Sequence, residues 1–318
     1  MLKIGKYTIR TLETGSFALD GGAMFGIVPK PLWEKTNPAD EKNRIDMRLR
    51  CLLIQKEADS DGPAENLLID CGMGTKWADK HYQMYKIDYS KWSLRSELKK
   101  LGLIAEDITG VIATHLHFDH VGGLTYRENP THPNSDLLPT FPNARLYIQQ
   151  RNWELAHSPS EKDRASYLSE NFHLYSDNSL CGRKTELLHT FSTDPSGKTA
   201  FNRPNSKEDT LFPGISVEVS HGHTLGMQIV RISDGTTSLV YGADLIPTAT
   251  HVRIPFIMAY DCFPMFILEE KKKLLNRIVD EQSYLFFEHC PRTDACKVKR
   301  TDKGDFEAHS FIQINELS

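Results

Sequence analysis

Short runs of apolar residues, some alternating with polar ones, mark strands in the first third of the chain. Lys6-Tyr7-Thr8-Ile9-Arg10 alternates at period two, as a half-buried strand does. Arg50-Cys51-Leu52-Leu53-Ile54 and Asn66-Leu67-Leu68-Ile69-Asp70 are apolar runs bounded by polar turns, the second stopping at the glycine-rich Asp70-Cys71-Gly72-Met73-Gly74. Between the runs at 6–10 and 50–54, Leu19 to Gly26, followed by Pro29 and Pro31, reads as a loop that shows apolar side chains, Met24 and Phe25 among them. Leu94, Leu98 and Leu101 fall at helical spacing over Ser93 to Leu101, and Gly102 is placed to end that helix. Gly110-Val111-Ile112-Ala113-Thr114 and Arg145-Leu146-Tyr147-Ile148 are further strand candidates, and Asn152 to Ala156 opens a helix.

Residues 158–210 are polar and rich in Ser, Asn, Asp, Lys and Pro, which predicts an insertion or lid rather than a second domain. Core patterning returns at Ile215 to Val219, Met227 to Ile232 and Ser238 to Tyr241. An amphipathic helix is predicted from Ile267 to Glu281, ahead of the apolar run Tyr284-Leu285-Phe286-Phe287. Strands thus come in two batches, each followed by helices. The pattern predicts an α/β (α+β) chain, residues 1–318 as a single domain, with two sheets and outer helices in a four-layer αββα sandwich.

Composition narrows the function classes. A content of 39% hydrophobic and 25% charged residues is ordinary for a soluble protein. A net charge of −4 gives no field that favours nucleic acid or an anionic membrane, so neither is expected as a partner. The longest basic run, Lys271-Lys272-Lys273, lies in a helical pattern and reads as solvated helix surface. No stretch approaches the ~18 apolar residues of a membrane span, and Met1 to Lys6 does not lead into a secretory signal. The six scattered cysteines read as reduced thiols, with Cys290 and Cys296 at a spacing unlike a zinc knuckle, which suits a cytoplasmic protein.

The chemistry concentrates in Thr114-His115-Leu116-His117-Phe118-Asp119-His120. At a strand end, residues two apart face the same way, so His115 and His117 can bind one metal ion together. After the turn, Asp119 and His120 can present themselves to a second. Nitrogen and oxygen ligands in this mix suit zinc best, with Fe, Mn or Co as alternatives. One cluster cannot close two sites, so further ligands are expected at other strand ends. Candidates are Ser220-His221-Gly222-His223-Thr224-Leu225-Gly226, Tyr241-Gly242-Ala243-Asp244 and Glu288-His289-Cys290.

With these motifs the sequence resembles the metallo-β-lactamase superfamily. The resemblance rests on the Asp70–Gly72 turn, His115 to His120 with Val121-Gly122-Gly123 after it, Gly222-His223-Thr224 with Gly226, Gly242-Ala243-Asp244, and His289. Within the superfamily it is most similar to the branch of N-acyl-homoserine-lactone lactonases and methyl-parathion-hydrolase-like enzymes, which also fits the extended segment Asp20 to Gly26. The resemblance implies that His115, His117 and His223 bind one metal and Asp119, His120 and His289 the second, with Asp244 bridging. It also places His221 and Asp70 behind the ligands, since a ligating histidine usually donates its other N–H to a bracing partner. Two positions depart from the branch. Pro247, which has no donor, stands where many lactonases carry tyrosine, and Cys290 stands where an acidic residue is common.

These features imply a binuclear-metal hydrolase in which a metal-bridging hydroxide attacks a small, partly apolar ester or lactone, with Asp119 and Asp244 as the proton-carrying carboxylates. Met24, Phe25, Trp33, His251 and Tyr260 are the candidate substrate contacts, and Tyr260 and His251 the candidate replacements for the tyrosine absent at Pro247. The competing readings are a phosphotriesterase-like or thioester hydrolase, a mononuclear-iron dioxygenase, and a non-catalytic ligand-binding protein. The partner expected is a small molecule, and a homodimer is left open.

Overall fold

The computed structural model describes residues 1–318 apart from 61, 133, 177–184, 189–191, 194–198, 201–209 and 318. The strands are β1 (Leu2–Ile4), β2 (Tyr7–Asp20), β3 (Arg44–Lys56), β4 (Glu65–Ile69), β5 (Gly110–Ile112), β6 (Thr125–Arg127), β7 (Leu137–Pro139), β8 (Arg145–Gln149), β9 (Glu186–Leu188), β10 (Ser192–Thr193), β11 (Thr199–Ala200), β12 (Thr210–Phe212), β13 (Ile215–Ser220), β14 (Met227–Ser233), β15 (Ser238–Tyr241), β16 (Tyr284–Phe286), β17 (Ala295–Arg300) and β18 (Phe306–Ile312). The helices among the described residues are α1 (Gly21–Phe25), α2 (Lys30–Trp33), α3 (Asp79–Met84), α4 (Leu94–Lys100), α5 (Phe118–Val121), α6 (Gln150–His157) and α7 (Pro264–Asp280). The chain divides into two compact units. One comprises Met1–Gly5, Ala18–Arg48 and His189–Ser318, the other Lys6–Phe17 and Leu49–Leu188.

In the unit built on Leu49–Leu188 the strands run in the order β2-β3-β4-β5-β8-β9. β3 and β4 pair antiparallel, while β4, β5, β8 and β9 run parallel. The parallel register sets Ile69 beside Ile112, so the chain leaves β4 and β5 at the same edge of the sheet. In open α/β sheets, ligands gather where the carboxyl ends of parallel strands open into loops. Asp70 and Thr114 both emerge there. Leu53, Leu68, Val111 and Leu146 pack with Leu98 of α4 and Phe141 in one buried core. Ser93 caps α4 by accepting from the Ser96 N–H, which starts the helix where the sequence predicts it.

The other unit carries the order β12-β13-β14-β15-β16-β17-β18. Its pairs are antiparallel except β15–β16, which is parallel with Tyr241 beside Phe286. β13 is antiparallel to β14, and β14 to β15, so β13, β15 and β16 all point the same way. Ser220, Gly242 and Phe287 leave the sheet at that common edge.

Three expectations need correction. Residues 19–26 are not an open loop: β2 runs on to Asp20, whose carboxylate accepts from the Ala23 N–H at 2.8 Å and starts α1. Met24 and Phe25 are consequently buried. Lys271 is not solvated like Lys272 and Lys273. It lies four residues from both Ile267 and Leu275 on the buried stripe of α7 and is itself fully buried. Finally, β3 extends from Arg44 to Lys56, far beyond the apolar run at 50–54, because Ile45, Met47 and Leu49 continue the alternation at period two through polar neighbours.

The polar stretch at 158–210 lies in large part outside the described residues, and Cys181 with it. Where described, it contributes Tyr167, Phe172, Leu174 and Tyr175 to the core around Leu68 and Val111. Among the described residues the cysteines form no disulfide, Cys290 and Cys296 are both buried, and no helix is long and apolar enough to cross a membrane.

Candidate metal centre

In the unit built on Leu49–Leu188 the geometry starts from Asp70. Its N–H donates to the Ile112 carbonyl at 3.1 Å, and its φ of 57° lies in the left-handed region that Asp tolerates better than most residues. This turns the carboxylate toward the end of β5. Oδ1 accepts the Thr114 N–H at 2.7 Å, and Oδ2 accepts the Thr114 hydroxyl at 2.8 Å. Oδ2 also lies 3.0 Å from His120 Nδ1. A carboxylate cannot donate, so His120 carries its proton on Nδ1 and keeps a lone pair on Nε2. The Thr114 oxygen, having given its proton to Asp70, accepts from His115 Nδ1 at 3.0 Å, which likewise leaves His115 Nε2 a lone pair.

His115 Nε2 and His117 Nδ1 converge at 3.0 Å. Neighbouring ligands of a tetrahedral zinc, with bonds near 2.0–2.1 Å, stand about 3.3 Å apart, so this spacing suits a shared ion. Asp119 Oδ1 lies 4.0 Å from His120 Nε2, giving a second donor pair. The peptide between His115 and His117 is fixed by Asn152, whose Oδ1 accepts the Leu116 N–H at 2.9 Å. His117 packs edge-on to Tyr167, and the Phe118 N–H donates to the Ser166 carbonyl. Gly74 and Gly122 pass so closely that a Cβ on either would strike the other's backbone or that of Met73. That accounts for glycine at both turns.

In the other unit, His223 Nδ1 donates to Asp261 Oδ1 at 3.0 Å, and its Nε2 stands 3.1 Å from Asp244 Oδ2. His289 Nδ1 donates to the Arg48 carbonyl at 2.9 Å, and its Nε2 stands 3.4 Å from Asp244 Oδ1. The two oxygens of one buried carboxylate thus face two different imidazoles. In both, Nδ1 faces an acceptor and carries a proton, which leaves Nε2 as the atom turned to the carboxylate. An imidazole unprotonated at Nε2 and a carboxylate oxygen at this spacing are a donor pair that could hold a metal ion. Burial pushes the Asp261 carboxyl up, and the bond from His223 opposes that rise.

The residues expected to touch substrate fall in two settings. Phe25 is stacked between Trp33 at 5.2 Å and His251 at 4.8 Å, with Met24, Phe25, Trp33 and His251 all buried. His251 bonds through Nδ1 to the Thr248 hydroxyl and through Nε2 to the Met24 carbonyl, each at 2.8 Å. Burial drives its pKa down to about 3, so the ring is neutral with both nitrogens engaged. Tyr260 stands apart and is 38% exposed. His221 accepts the Gly226 N–H on Nδ1 at 3.1 Å, which closes the turn that carries His223.

Asp261, Glu270, Thr114 and Asn152 are not singled out by the sequence. Asp261 does carry a signal, as a lone acid among Tyr260, Cys262 and Phe263. Glu270 carries one too, three residues after Ile267 on the buried side of α7.

Residues 51–289 match the family model of the metallo-beta-lactamase superfamily. Among solved structures, a probable metal-dependent hydrolase from Staphylococcus aureus is 30% identical, with a TM-score of 0.79 and all of both chains covered. The dizinc quorum-quenching lactonase AidC, solved with the product N-hexanoyl-L-homoserine, is 22% identical with a TM-score of 0.71, covering 98% of this chain and 97% of its own. AbOPH, a hydrolase in the beta-lactamase superfamily, is 18% identical with a TM-score of 0.70, covering 96% and 95%. No curated protein matches. The α/β fold class expected from the sequence is the one these structures share with the chain.

Proposed function

The chain belongs to the metallo-beta-lactamase superfamily and is a metal-dependent hydrolase, and we propose that it uses two divalent ions, zinc first among them, to open small, partly apolar lactones or esters. The observation that carries the two-ion reading is Asp244, one carboxylate whose oxygens face His223 and His289 separately. The paired donors His115–His117 and Asp119–His120 support it from the other unit. In this proposal His115, His117 and His223 hold one ion, Asp119, His120 and His289 hold the other, and Asp244 serves both. When bound, the ions supply an activated water and draw electron density from the scissile carbonyl.

The chain's own residues do the rest. Asp70, Thr114, Asp261 and the Arg48 carbonyl brace His120, His115, His223 and His289 respectively, which orients those four imidazoles before substrate arrives. Asp119 and Asp244 are the carboxylates within reach to carry a proton to the leaving oxygen. Phe118, beside Asp119, packs edge-on to Trp77 at 5.1 Å and against Tyr85 at 5.7 Å. This aromatic group takes the apolar part of the substrate, in place of the buried stack around Phe25. Tyr260, 38% exposed, offers a phenol that can stand in for the tyrosine absent at Pro247. The AidC likeness favours a lactone.

A substrate panel on the metal-loaded chain tests this reading. N-acyl lactones and aryl esters are expected to give the highest kcat/KM. Faster turnover of thioesters or phosphotriesters, with lactones and esters untouched, would reassign the substrate class.

A further inference from the structure

Helix α7 grips two loops through adjacent residues of opposite charge. Glu270 reaches the turn after β13, where its carboxylate accepts the Ser220 hydroxyl at 2.7 Å, the His221 N–H at 2.8 Å and the Gly222 N–H at 3.1 Å. Gly222 lies so close to Ile267 that a Cβ there would come within 2.7 Å of its backbone nitrogen, so the turn sits directly on the helix start. Lys271 reaches the loop before α7. Its buried ammonium donates to the carbonyls of Arg253 at 2.9 Å, Ile254 at 3.3 Å and Phe256 at 2.8 Å.

Both loops end at His223. The first carries it. The second leads through Met258, whose N–H donates to Asp261 Oδ2 at 2.8 Å, to the Asp261 carboxylate that accepts from His223 Nδ1. Two backbone bonds tie the loops together, from the Cys262 N–H to the His223 carbonyl at 3.0 Å and from the Phe263 N–H to the Gly222 carbonyl at 2.8 Å. A buried lysine and a largely buried glutamate are costly to desolvate, and apolar residues of similar volume would serve the helix's packing as well. What they add is a fixed position for backbone that has no other regular structure.

We propose that Glu270 and Lys271 are positioning residues for His223: Glu270 holds the turn that carries the imidazole, and Lys271 holds the loop whose Asp261 sets its tautomer and rotation. This rests on His223 being a metal ligand, and it adds that one of the two ions owes its affinity to a pair of charges outside the ligand set.

Cobalt titration of the metal-free full chain, followed by d–d absorption, tests it without reference to turnover. The wild-type chain is expected to take up two equivalents. Glu270→Ala and Lys271→Met are each expected to weaken one binding step by about 10–100-fold and leave the other, with Lys271→Arg restoring part of the loss. Glu270→Gln, which keeps the shape and sets an NH2 against the donors of the turn, provides the milder variant should Glu270→Ala not fold. In a His223→Ala background the same changes should have no effect on the remaining step. Folded variants that bind both ions as the wild type does, or changes that weaken the remaining step equally without His223, would overturn the proposal. A wild-type chain that binds no cobalt would instead refute the two-ion reading beneath it.

Discussion

Replacing Asp244 by alanine is expected to lower kcat/KM by about a thousandfold or more, equivalent to about 4 kcal/mol of transition-state stabilisation. The reason is its double duty. Its oxygens stand 3.1 Å from His223 Nε2 and 3.4 Å from His289 Nε2, so removing one side chain strips a ligand from both proposed ions. Metal content should fall with the rate. An alanine at this buried position leaves room that water can fill, and the sheet edge is held by backbone pairing of β15 with β14 and β16, so the circular dichroism spectrum should stay that of the wild type. A folded variant with undiminished turnover would remove Asp244 from the chemistry.

Asp70→Asn is expected to cost about 10–100-fold in metal affinity and about 1–3 kcal/mol in stability, read by chelator competition and urea unfolding. The substitution keeps the size of the side chain and its tolerance of the positive φ, so only hydrogen bonding changes. Asp70 receives donors on both oxygens: the Thr114 N–H on one, the Thr114 hydroxyl and His120 Nδ1 on the other. The asparagine NH2 must therefore face a donor whichever way the amide turns. If it faces His120, the imidazole can answer only by moving its proton to Nε2, the atom needed for metal. Wild-type metal affinity in this variant would show that Asp70 has no hold on the ligand.

How much of this was legible in the sequence follows from how local each feature is. His115 to His120 is a cluster within six residues, and the donors at His223, Asp244 and His289 each follow a short apolar run. Strand and motif are thus read from the same few residues, and the structure places each at the end of β5, β13, β15 or β16. Asp70 was legible for the same reason. Residues that act across the chain were not. Asp261 meets His223 over 38 positions and Glu270 meets Ser220 over 50, and neither separation leaves a periodic trace. Lys271 was hidden by its neighbours, because Lys272 and Lys273 make the run look solvated while the helical phase alone puts the first lysine inside. Phe25 and Trp33 were legible as apolar residues beside prolines. That Phe25 stacks with His251, more than 200 positions away, was not.

In the proposed mechanism two ions bind per chain and hydrolysis depends on them. Metal analysis of the full chain, after equilibration with zinc and removal of excess, measures it directly when hydrolysis is followed on the same preparation. About two ions per chain are expected, with loss of both metal and hydrolysis on chelation and return of both on adding zinc. Saturation at a single ion, or hydrolysis that persists in the fully chelated protein, would contradict that mechanism.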